Sequence, residues 1–516
     1  MVKIRRILLI GALGLIAAQA YGQTGDLKLD VKKHTLANGM RILVLENHSA
    51  PVFSAIIRFN TGSVDEHPGI TGVSHLLEHM MFKGTKTIGT SNYDAEVPIM
   101  AKIDSLEHLA YAEQLKLLNP LKPQDSTELK RIRQQMADLQ AQEKQYVIKD
   151  ELWGTYLQNG GTGLNASTGN DGTQYFVSLP KNRLELWAFM ESDRIGNLVL
   201  REFYSERDVV MEERRLSTEN QPWGRLDEAA SATTYWATPY KWPVVGWMSD
   251  LLLVQREEVE QYFKSHYSPT NAVACVVGDV NTDSVFAMCD KYFGKIPGQP
   301  LPPPVVTRDA PQMGERRVEV EYDANPIALI QWPVPQIGHP DLPALEVAAN
   351  VLSNGRTSRF YKNIREKRLG TAMASVDYTR YPGTFSCQIT PFGDHTTQDL
   401  EAAVYAEIDR LKTEKVTDFE LQRVRNQVDV QLMRQLENNM GMARNLTNSE
   451  VTTGDWYFFL DRATAVKAVT ADDVMRVVNK YLIKKDRTVA TLVKVAGDHT
   501  EQPAASMSTS PLHQSN

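Results

Sequence analysis

The stretch Thr71-Gly-Val-Ser-His-Leu-Leu-Glu-His-Met-Met-Phe-Lys-Gly84 decides how the rest of the chain is interpreted. It predicts a short helix on which His75, Glu78 and His79 share one face, because residues three and four positions apart are neighbours on a helix surface. Two neutral imidazoles at this spacing suit a tetrahedral zinc ion, and the adjacent carboxylate suits a general base. The order His-x-x-Glu-His is the inverted zinc-peptidase signature. The alternative is a pair of partly buried histidines on an amphipathic helix.

Length and composition are those of a globular protein. The 516 residues are enough for two to four domains, with 42% hydrophobic and 23% charged residues. The formal net charge is -7. No basic stripe is present, which argues against nucleic acid as a partner.

The first 20 residues are typical of a secretory signal peptide. Three basic residues precede an apolar run at 7–18, and Ala18-Gln-Ala20 supplies the small residues of a cleavage site. We therefore expect export, to the periplasm if the source is a diderm bacterium; the alternative is an uncleaved N-terminal anchor. No later stretch is apolar over the roughly 18 residues that a membrane span needs, so we expect no stable membrane insertion.

The three cysteines, Cys275, Cys289 and Cys387, are too few for a disulfide framework in an exported chain of this size. Cys275 lies in an apolar run that predicts a buried strand. The sequence leaves open whether any two of them form a disulfide.

Residues 28–295 are interpreted as a first domain that contains the histidine motif. An Asn38-Gly39 turn predicts a hairpin before the motif. A polar helical insertion is predicted at about 95–155, with one apolar face formed by Leu129, Ile132, Met136 and Leu139. The insertion is either a packed helical hairpin or a lid or docking arm for a partner.

A proline-rich linker is predicted at 296–314, followed by a second domain at 315–495 without a zinc motif. The closing helix and strand of the second domain resemble those that end the first. This weak repeat predicts two similar α+β domains. The polar tail at 496–516 is predicted to be disordered.

A catalytic zinc needs three protein ligands and one open position. The best candidates for the third ligand are Glu206 and Glu213, which are seven positions apart and share a helix face, whereas Glu212 points away from it. Spacing alone does not choose between them, and solvated carboxylates remain the alternative.

The histidine motif, Asn165-Ala-Ser-Thr168 and Glu206-Arg-Asp-Val-Val-Met-Glu-Glu213, in this order, resemble the pitrilysin or insulinase family of zinc peptidases. The resemblance covers about 30–495 and is greatest for the mitochondrial-processing-peptidase type. It implies an α+β fold class: two related α/β-sandwich domains, each a mixed sheet with helices on one face, which form half of a clamshell. The inserted helical hairpin is additional.

The resemblance also implies roles at matching positions. His75 and His79 match the family's zinc ligands, Glu78 its general base and Glu213 its third ligand. Glu206 matches a supporting acidic residue beside the ligands. One Zn²⁺ per chain is expected.

The resemblance places Asn165 and Ala166 on an edge strand to which the family adds its peptide substrate as a further strand. Arg365 matches a substrate-binding arginine that the opposite half of a clamshell contributes. The tyrosine expected seven positions later is Ala372 here, and Tyr378 is out of register. This departure favours a heterodimer with a related chain over a homodimer.

Two further points concern the insertion and the activity. Glu213 follows His79 by 134 positions (213 minus 79), which is longer than is usual in the family, and the insertion accounts for the extra length. The expected function is an exported zinc-dependent endopeptidase or oligopeptidase that cleaves peptides or unfolded segments in a clamshell chamber. The alternatives are a non-catalytic peptide-holding or structural subunit of the same fold, and a metal-dependent hydrolase that acts on a non-peptide bond.

Overall fold

The computed structural model describes residues 29–119, 121 and 125–495. The predicted signal peptide at 1–20 and the predicted tail at 496–516 lie outside these residues. Strands of the described chain form two sheets. Those of the first are β1 (Lys32–Thr35), β2 (Arg41–Glu46), β3 (Val52–Phe59), β4 (Thr162–Thr168), β5 (Thr173–Pro180) and β6 (Ala272–Gly278). Those of the second are β7 (Arg316–Tyr322), β8 (Ile327–Val334), β9 (Gly370–Val376), β10 (Gly383–Pro391) and β11 (Thr488–Lys494).

Helices follow the strands in a similar order in each half. The helices of the first half are α1 (Val73–Met80), α2 (Tyr93–Leu117), α3 (Thr127–Glu143), α4 (Glu151–Gln158), α5 (Leu184–Gly196), α6 (Phe203–Arg214), α7 (Pro222–Thr234), α8 (Met248–Leu253), α9 (Arg256–His266) and α10 (Thr282–Tyr292). Those of the second half are α11 (Leu342–Ser353), α12 (Thr397–Thr413), α13 (Asp418–Leu436), α14 (Asn439–Thr453), α15 (Phe458–Ala468) and α16 (Ala471–Tyr481). Single π-helical turns lie at Arg215–Glu219 and Tyr361–Arg365.

The two sheets have the same topology. The strand order is β1-β2-β6-β3-β5-β4 in the first and β7-β11-β8-β10-β9 in the second. One pair in each sheet is parallel, β2 with β6 and β7 with β11, and these pairs occupy corresponding positions. The predicted fold class, two related mixed-sheet domains, is therefore confirmed, with β1 as an additional edge strand.

Strand β6 lies in the middle of the first sheet and is buried along its whole length. Its sequence, Ala-Val-Ala-Cys-Val-Val-Gly, has no polar alternation because both faces of the sheet are covered at this point. One face packs against the helices of the first domain, including α1, and the other packs against α14.

Each half contributes one helix to the other half. Helix α7 places Leu226 and Ala230 on the second sheet, against Leu329, Ala490 and Leu492. Helix α14 packs on the first sheet with a set of buried apolar residues, Met442, Ala443, Leu446 and Val451. The second face of each sheet is thereby partly covered by a helix from the opposite half.

A polar contact also joins the halves. The Arg380 guanidinium donates two hydrogen bonds to the Asp65 carboxylate, at 2.8 and 3.1 Å, and the Arg380 backbone N–H donates to Asp171 at 2.8 Å. The Tyr240 hydroxyl donates to the other oxygen of Asp171 at 2.6 Å and accepts from the backbone N–H of Tyr381. These groups are largely buried, and Arg380 is the ion-pair partner of Asp65, whereas Asp171 lies near both Arg380 and the buried Arg58.

The predicted helical insertion consists of three helices, α2, α3 and α4, where two were expected. The third helix, α4, begins directly after Asp150, which has a left-handed backbone conformation with a φ of 54°. On α3 the predicted apolar face is buried at Leu129, Ile132 and Met136. The insertion is therefore packed on the domain and not detached from it.

All three cysteines are buried and unpaired, and burial raises the pKa of each thiol. Among the described helices, none is both long enough and apolar enough to cross a lipid bilayer.

The contact between the halves generates a stability prediction. Replacing Arg380 by Ala leaves the buried Asp65 carboxylate without its ion-pair partner, so we expect the unfolding free energy to fall by roughly 3–5 kcal/mol. Urea-induced unfolding measures the change. Arg131→Ala removes an exposed arginine paired with Glu128 and is the matched control, for which about 0–1 kcal/mol is expected. Equal losses for the two variants would contradict the prediction.

Candidate metal centre

Helix α1 is amphipathic, with an apolar face and a polar face. Val73, Leu76, Leu77 and Met80 are buried in the core of the first domain. His75, Glu78 and His79 lie on the opposite face and are partly exposed. The rings of His75 and His79 are nearly perpendicular, with their centroids 4.9 Å apart. The structure therefore places the predicted helix and its three polar residues as expected from their spacing.

Two carboxylates hold the start of α1. The buried Glu66 side chain accepts hydrogen bonds from the backbone N–H groups of Gly72 and Ser74, at 2.7 and 2.8 Å. These are N–H groups that the first turn of a helix leaves unsatisfied. Asp250 accepts from the backbone and hydroxyl of Thr71, at 3.2 and 2.6 Å.

Gly72 and Gly246 meet at the same point. Gly72 has a φ of 88° and Gly246 a φ of 80°, a region that favours glycine. A Cβ on Gly246 would lie 2.2 Å from the Thr71 carbonyl oxygen. Arg214, at the end of α6, donates to the Gly246 carbonyl at 2.7 Å, so this loop links the start of α1 to the end of α6.

Helix α6 brings two carboxylates to the histidines. Oxygens of Glu213 lie 3.5 Å from Nε2 of His75 and 3.3 Å from Nε2 of His79. Glu206 lies 3.1 Å from Nδ1 of His79 and 2.5 Å from Nζ of Lys83. The two carboxylates that spacing left equivalent thus occupy different places, Glu213 beside both Nε2 atoms and Glu206 behind His79.

The donor set fits a tetrahedral zinc ion. Ligand atoms about 2.0–2.2 Å from zinc lie roughly 3.3–3.6 Å from one another. Candidate ligand atoms of His75, His79 and Glu213 all lie within 4.8 Å of one another. Glu206 supplies His79 with the outer carboxylate partner that orients a metal-binding histidine, whereas Nδ1 of His75 is buried with no hydrogen-bond partner in the described part of the chain.

Electrostatics separate the two histidines. Burial lowers the pKa of His75 to about 4. Burial alone would also lower the pKa of His79, but hydrogen bonds to Glu206 and Glu213 outweigh it and raise the value to about 9. In the metal-free site His79 therefore carries a proton between two carboxylates, and a metal ion would displace that proton.

Glu78 lies beside the candidate ligands and is oriented by β4. The Thr168 hydroxyl donates a hydrogen bond of 2.6 Å to Oε2 of Glu78. Burial raises the pKa of Glu78, and the hydrogen bond from Thr168 opposes this rise.

Strand β4 is the outer strand of the first sheet and includes Asn165 and Ala166. Asn165 is exposed and Ala166 is buried. A cleft of about 680 Å³ begins at the end of β4 and is lined by Ser167 and Thr168 from the first domain and by Gln331 and Ser386 from the second sheet. The cleft thus extends to the second sheet from Thr168, the residue that contacts Glu78.

Arg365 is not brought to the site within this chain. It ends a π-helical turn of the second domain, is exposed, and lies 6.0 Å from the ring of Tyr361. Ala372 lies on β9, the outer strand of the second sheet. The Tyr378 hydroxyl donates to Glu346 at 2.6 Å, so that tyrosine is engaged in the packing of its own domain.

Three functional neighbours were missed by sequence reasoning: Glu66, Lys83 and Thr168. Lys83 and Thr168 lie inside the motifs quoted from the sequence. Nothing in the sequence pattern indicates that Lys83 contacts Glu206 or that Thr168 contacts Glu78. Glu66 reaches the helix start across six residues, outside the usual spacing of a helix cap.

Glu66 generates a pH prediction. Burial raises its pKa from 4.5 to about 8, against the two backbone N–H groups that favour the ionised form. Between these values the folded chain binds more protons than the unfolded chain, so the unfolding free energy falls as the pH rises. We expect a fall of roughly 3–5 kcal/mol from this group between pH 4.5 and 8. Urea unfolding across this range, with Glu66→Gln for comparison, measures it; parallel pH profiles for the two proteins would contradict it.

Two family models match the chain. The model of insulinase (peptidase family M16) matches residues 41–102, which include His75, Glu78 and His79. The model of the peptidase M16 inactive domain matches residues 254–428. Among the described residues, the second domain contains no group of side chains placed to hold a metal ion.

Relatives of known name are similar over most of the chain. Zinc protease PqqE of Helicobacter pylori is 24% identical over 469 residues, which are 89% of this chain and 91% of the relative. A probable mitochondrial-processing peptidase subunit beta of Arabidopsis thaliana is 22% identical over 89% of this chain and 77% of its own.

Solved structures share the fold. A protease from Helicobacter pylori superposes with a TM-score of 0.74 at 24% identity, covering 90% of this chain and 100% of that one. The first half of the periplasmic protease PqqL from Escherichia coli gives a TM-score of 0.65 at 18% identity, covering 91% and 93%. With both family models matched in this order and the fold shared with solved relatives, the chain carries the N- and C-terminal domains of peptidase family M16, the insulinase family.

Proposed function

We propose that this protein is a zinc-dependent endopeptidase or oligopeptidase. The observation that carries the proposal is the convergence of His75, His79 and Glu213, with Glu78 beside them, at the edge of a sheet. Two imidazoles and one carboxylate form a ligand set found in catalytic zinc sites, which keep one position open. The Glu213 side chain is 44% exposed, so the site is open to a substrate on that side.

A peptide is the substrate class that the surroundings favour. Strand β4 has no neighbour on its outer side among the described strands, and an extended peptide can add to such an edge through main-chain hydrogen bonds. Asn165 and Ala166 lie on this strand and are proposed to bind the substrate. The cleft beyond Thr168 gives an extended chain room to continue toward the second domain.

Glu78 is proposed as the general base. Its carboxylate, oriented by Thr168, takes a proton from the attacking water and later delivers it to the leaving amine. His75, His79 and Glu213 would hold the zinc ion, and Glu206 orients His79. When bound, zinc supplies Lewis acidity that acidifies water and polarises the scissile carbonyl.

Export, to the periplasm if the source is a diderm bacterium, is part of the proposal. It rests on the charged and apolar pattern of residues 1–20. The three buried cysteines form no disulfide, which is compatible with both an exported and a cytoplasmic protein.

The proposal includes a second chain. Arg365 is exposed and contacts the ring of Tyr361 in its own domain, and the tyrosine expected with it is replaced by Ala372. A related chain that supplies both groups would complete the site from the opposite side. A heterodimer is therefore favoured over a homodimer.

The catalytic role generates the first prediction of this section. Glu78→Gln keeps the size of the side chain but cannot accept a proton, so we expect kcat to fall by about 10²–10⁴-fold with zinc content unchanged. Hydrolysis of an internally quenched peptide and elemental analysis of the same samples measure the two quantities. Glu212→Gln, an exposed neighbour on α6 that pairs with Arg215, is the matched control and should leave both unchanged.

Other outcomes would redirect the assignment. Zinc retained after replacement of both His75 and His79 would overturn the proposed ligands. A wild-type protein that binds zinc and peptide but hydrolyses no peptide, alone or with a related chain, would favour the non-catalytic peptide-holding subunit.

The assembly generates a second prediction. In a homodimer, Arg365 of one copy would serve the zinc site of the other, so Arg365→Ala would lower kcat/KM. In a heterodimer, the second chain supplies the arginine, so we expect Arg365→Ala in this chain to change kcat/KM by less than about twofold. Assays of both proteins with and without the related chain, with native mass measured in parallel, distinguish the two. Full activity of this chain alone would contradict the heterodimer.

A further inference from the structure

The inserted helices α2 and α3 are packed against α6, the helix that carries Glu206 and Glu213. The buried face of α2 is unusual because three of its six residues are acidic: Glu96, Met100, Ile103, Asp104, Glu107 and Ala110. Buried carboxylates are costly unless they are paired. The partners of these carboxylates therefore show which parts of the protein the insertion contacts.

Glu96 pairs with Arg201, two residues before α6 begins, and both side chains are fully buried. The same guanidinium donates to the backbone carbonyls of Lys83 and Thr85, each at 2.9 Å. This loop directly follows α1. Glu96 therefore holds a cation that joins the end of one ligand-bearing helix to the start of the other.

Asp104 provides the next contact along α2. It accepts a hydrogen bond of 3.1 Å from the Tyr204 hydroxyl, in the first turn of α6, and is ion-paired with Arg256 at the start of α9. Tyr204 is buried, so its hydroxyl has its partner inside the protein. The contact fixes the first turn of α6 against α2.

Glu107 lies one turn further and contacts two arginines. One carboxylate oxygen accepts from Arg207 on α6 at 2.9 Å and the other accepts from Arg133 on α3 at 3.0 Å. Glu107 and Arg207 are each only 1% exposed. Arg207 also donates to the Val254 carbonyl at 3.2 Å. One buried carboxylate thus ties both inserted helices to α6.

Helix α3 adds two weaker contacts with the same segment. Gln140 donates to the Ser205 hydroxyl at 3.3 Å, and Glu143 accepts from the backbone N–H of Glu202 at 3.2 Å. The insertion therefore contacts α6 and its preceding turn at most positions from 201 to 207. Glu206 projects from the opposite side of this segment, toward His79.

We propose that the insertion is a brace that sets the position and rotation of α6, with Glu107 as its central positioning residue. Glu213 is six residues beyond Arg207, about 9 Å along the helix axis, so a rotation of α6 at its braced end displaces the Glu213 carboxylate from the imidazoles. This inference rests on the proposed metal site. It assigns the insertion to metal-site geometry and not to a lid or a docking arm.

Glu107→Gln tests the brace because it removes the charge but keeps the volume. Hydrogen exchange of the metal-free protein should show faster exchange in α6, by about tenfold, with little change in the strands of the second sheet. Zinc affinity, measured by competition with a chelator, should fall by about 10–100-fold, the range seen when residues that support metal ligands are changed. In peptide hydrolysis at saturating zinc, kcat should fall while KM is unchanged, since β4 and the cleft are not altered.

Glu128→Gln is the matched control. Glu128 lies on the outer side of α3 and forms an exposed ion pair with Arg131, so the same change of residue removes a pair that does not contact α6. We expect wild-type exchange and zinc affinity for it. Tyr204→Phe is a milder second variant, because it deletes only the hydroxyl that contacts Asp104. It serves as the test if Glu107→Gln folds poorly. It should also speed exchange in α6 and lower zinc affinity.

Three results would overturn the inference or its basis. Wild-type exchange in α6 for both Glu107→Gln and Tyr204→Phe would overturn the brace. Wild-type zinc affinity in variants with faster exchange would overturn its link to the metal site. A wild-type protein that binds no zinc would overturn the proposed function, while the exchange data would still decide whether the insertion braces α6.

Discussion

The Glu213 carboxylate lies 3.5 Å from His75 and 3.3 Å from His79, although the insertion, two strands and helix α5 separate α6 from α1 in the chain. Every other feature of the site depends on this approach, because a displacement of about 1 Å between the helices would exceed the tolerance of metal–ligand distances. The two helices are joined through the Gly72–Gly246 contact at one end and through Arg201 at the other. Packing of α1 on the core keeps this frame in place.

Charge balance explains how the frame can exist before a metal binds. Glu206 and Glu213 both contact His79, through different ring nitrogens, and a partly buried carboxylate stays ionised only with a cation nearby. The cations are Lys83 and His79, whose pKa is raised. Hydrogen bonds from His79 and Lys83 lower the pKa of Glu206, and the hydrogen bond from His79 lowers the pKa of Glu213. The metal-free site is therefore ordered by a proton and a lysine where a divalent ion would otherwise balance the carboxylates.

The internal repeat shows why one half carries the site and the other does not. Helix α11 occupies in the second sheet the position of α1 in the first, but its buried residues are apolar around most of its circumference. Glu346, one of its few polar residues, pairs with Arg462 and Tyr378 inside the domain. The same topology thus supports a packed helix in one half and an open candidate metal site in the other, and reciprocal packing of α7 and α14 joins the two halves.

Local spacing along the chain was sufficient to predict α1 and the shared face of His75, Glu78 and His79, since helix periodicity is a short-range property. Similar closing elements predicted two α+β domains, and the family resemblance added that each is a mixed sheet. Local spacing could not choose between Glu206 and Glu213, which are equivalent by helical periodicity. That choice, the buried role of Glu107 and the positions of α7 and α14 depend on contacts between residues far apart in sequence. Such contacts follow from how the elements pack, because the partner of a buried charge is set by the three-dimensional arrangement and leaves no periodic pattern in the chain.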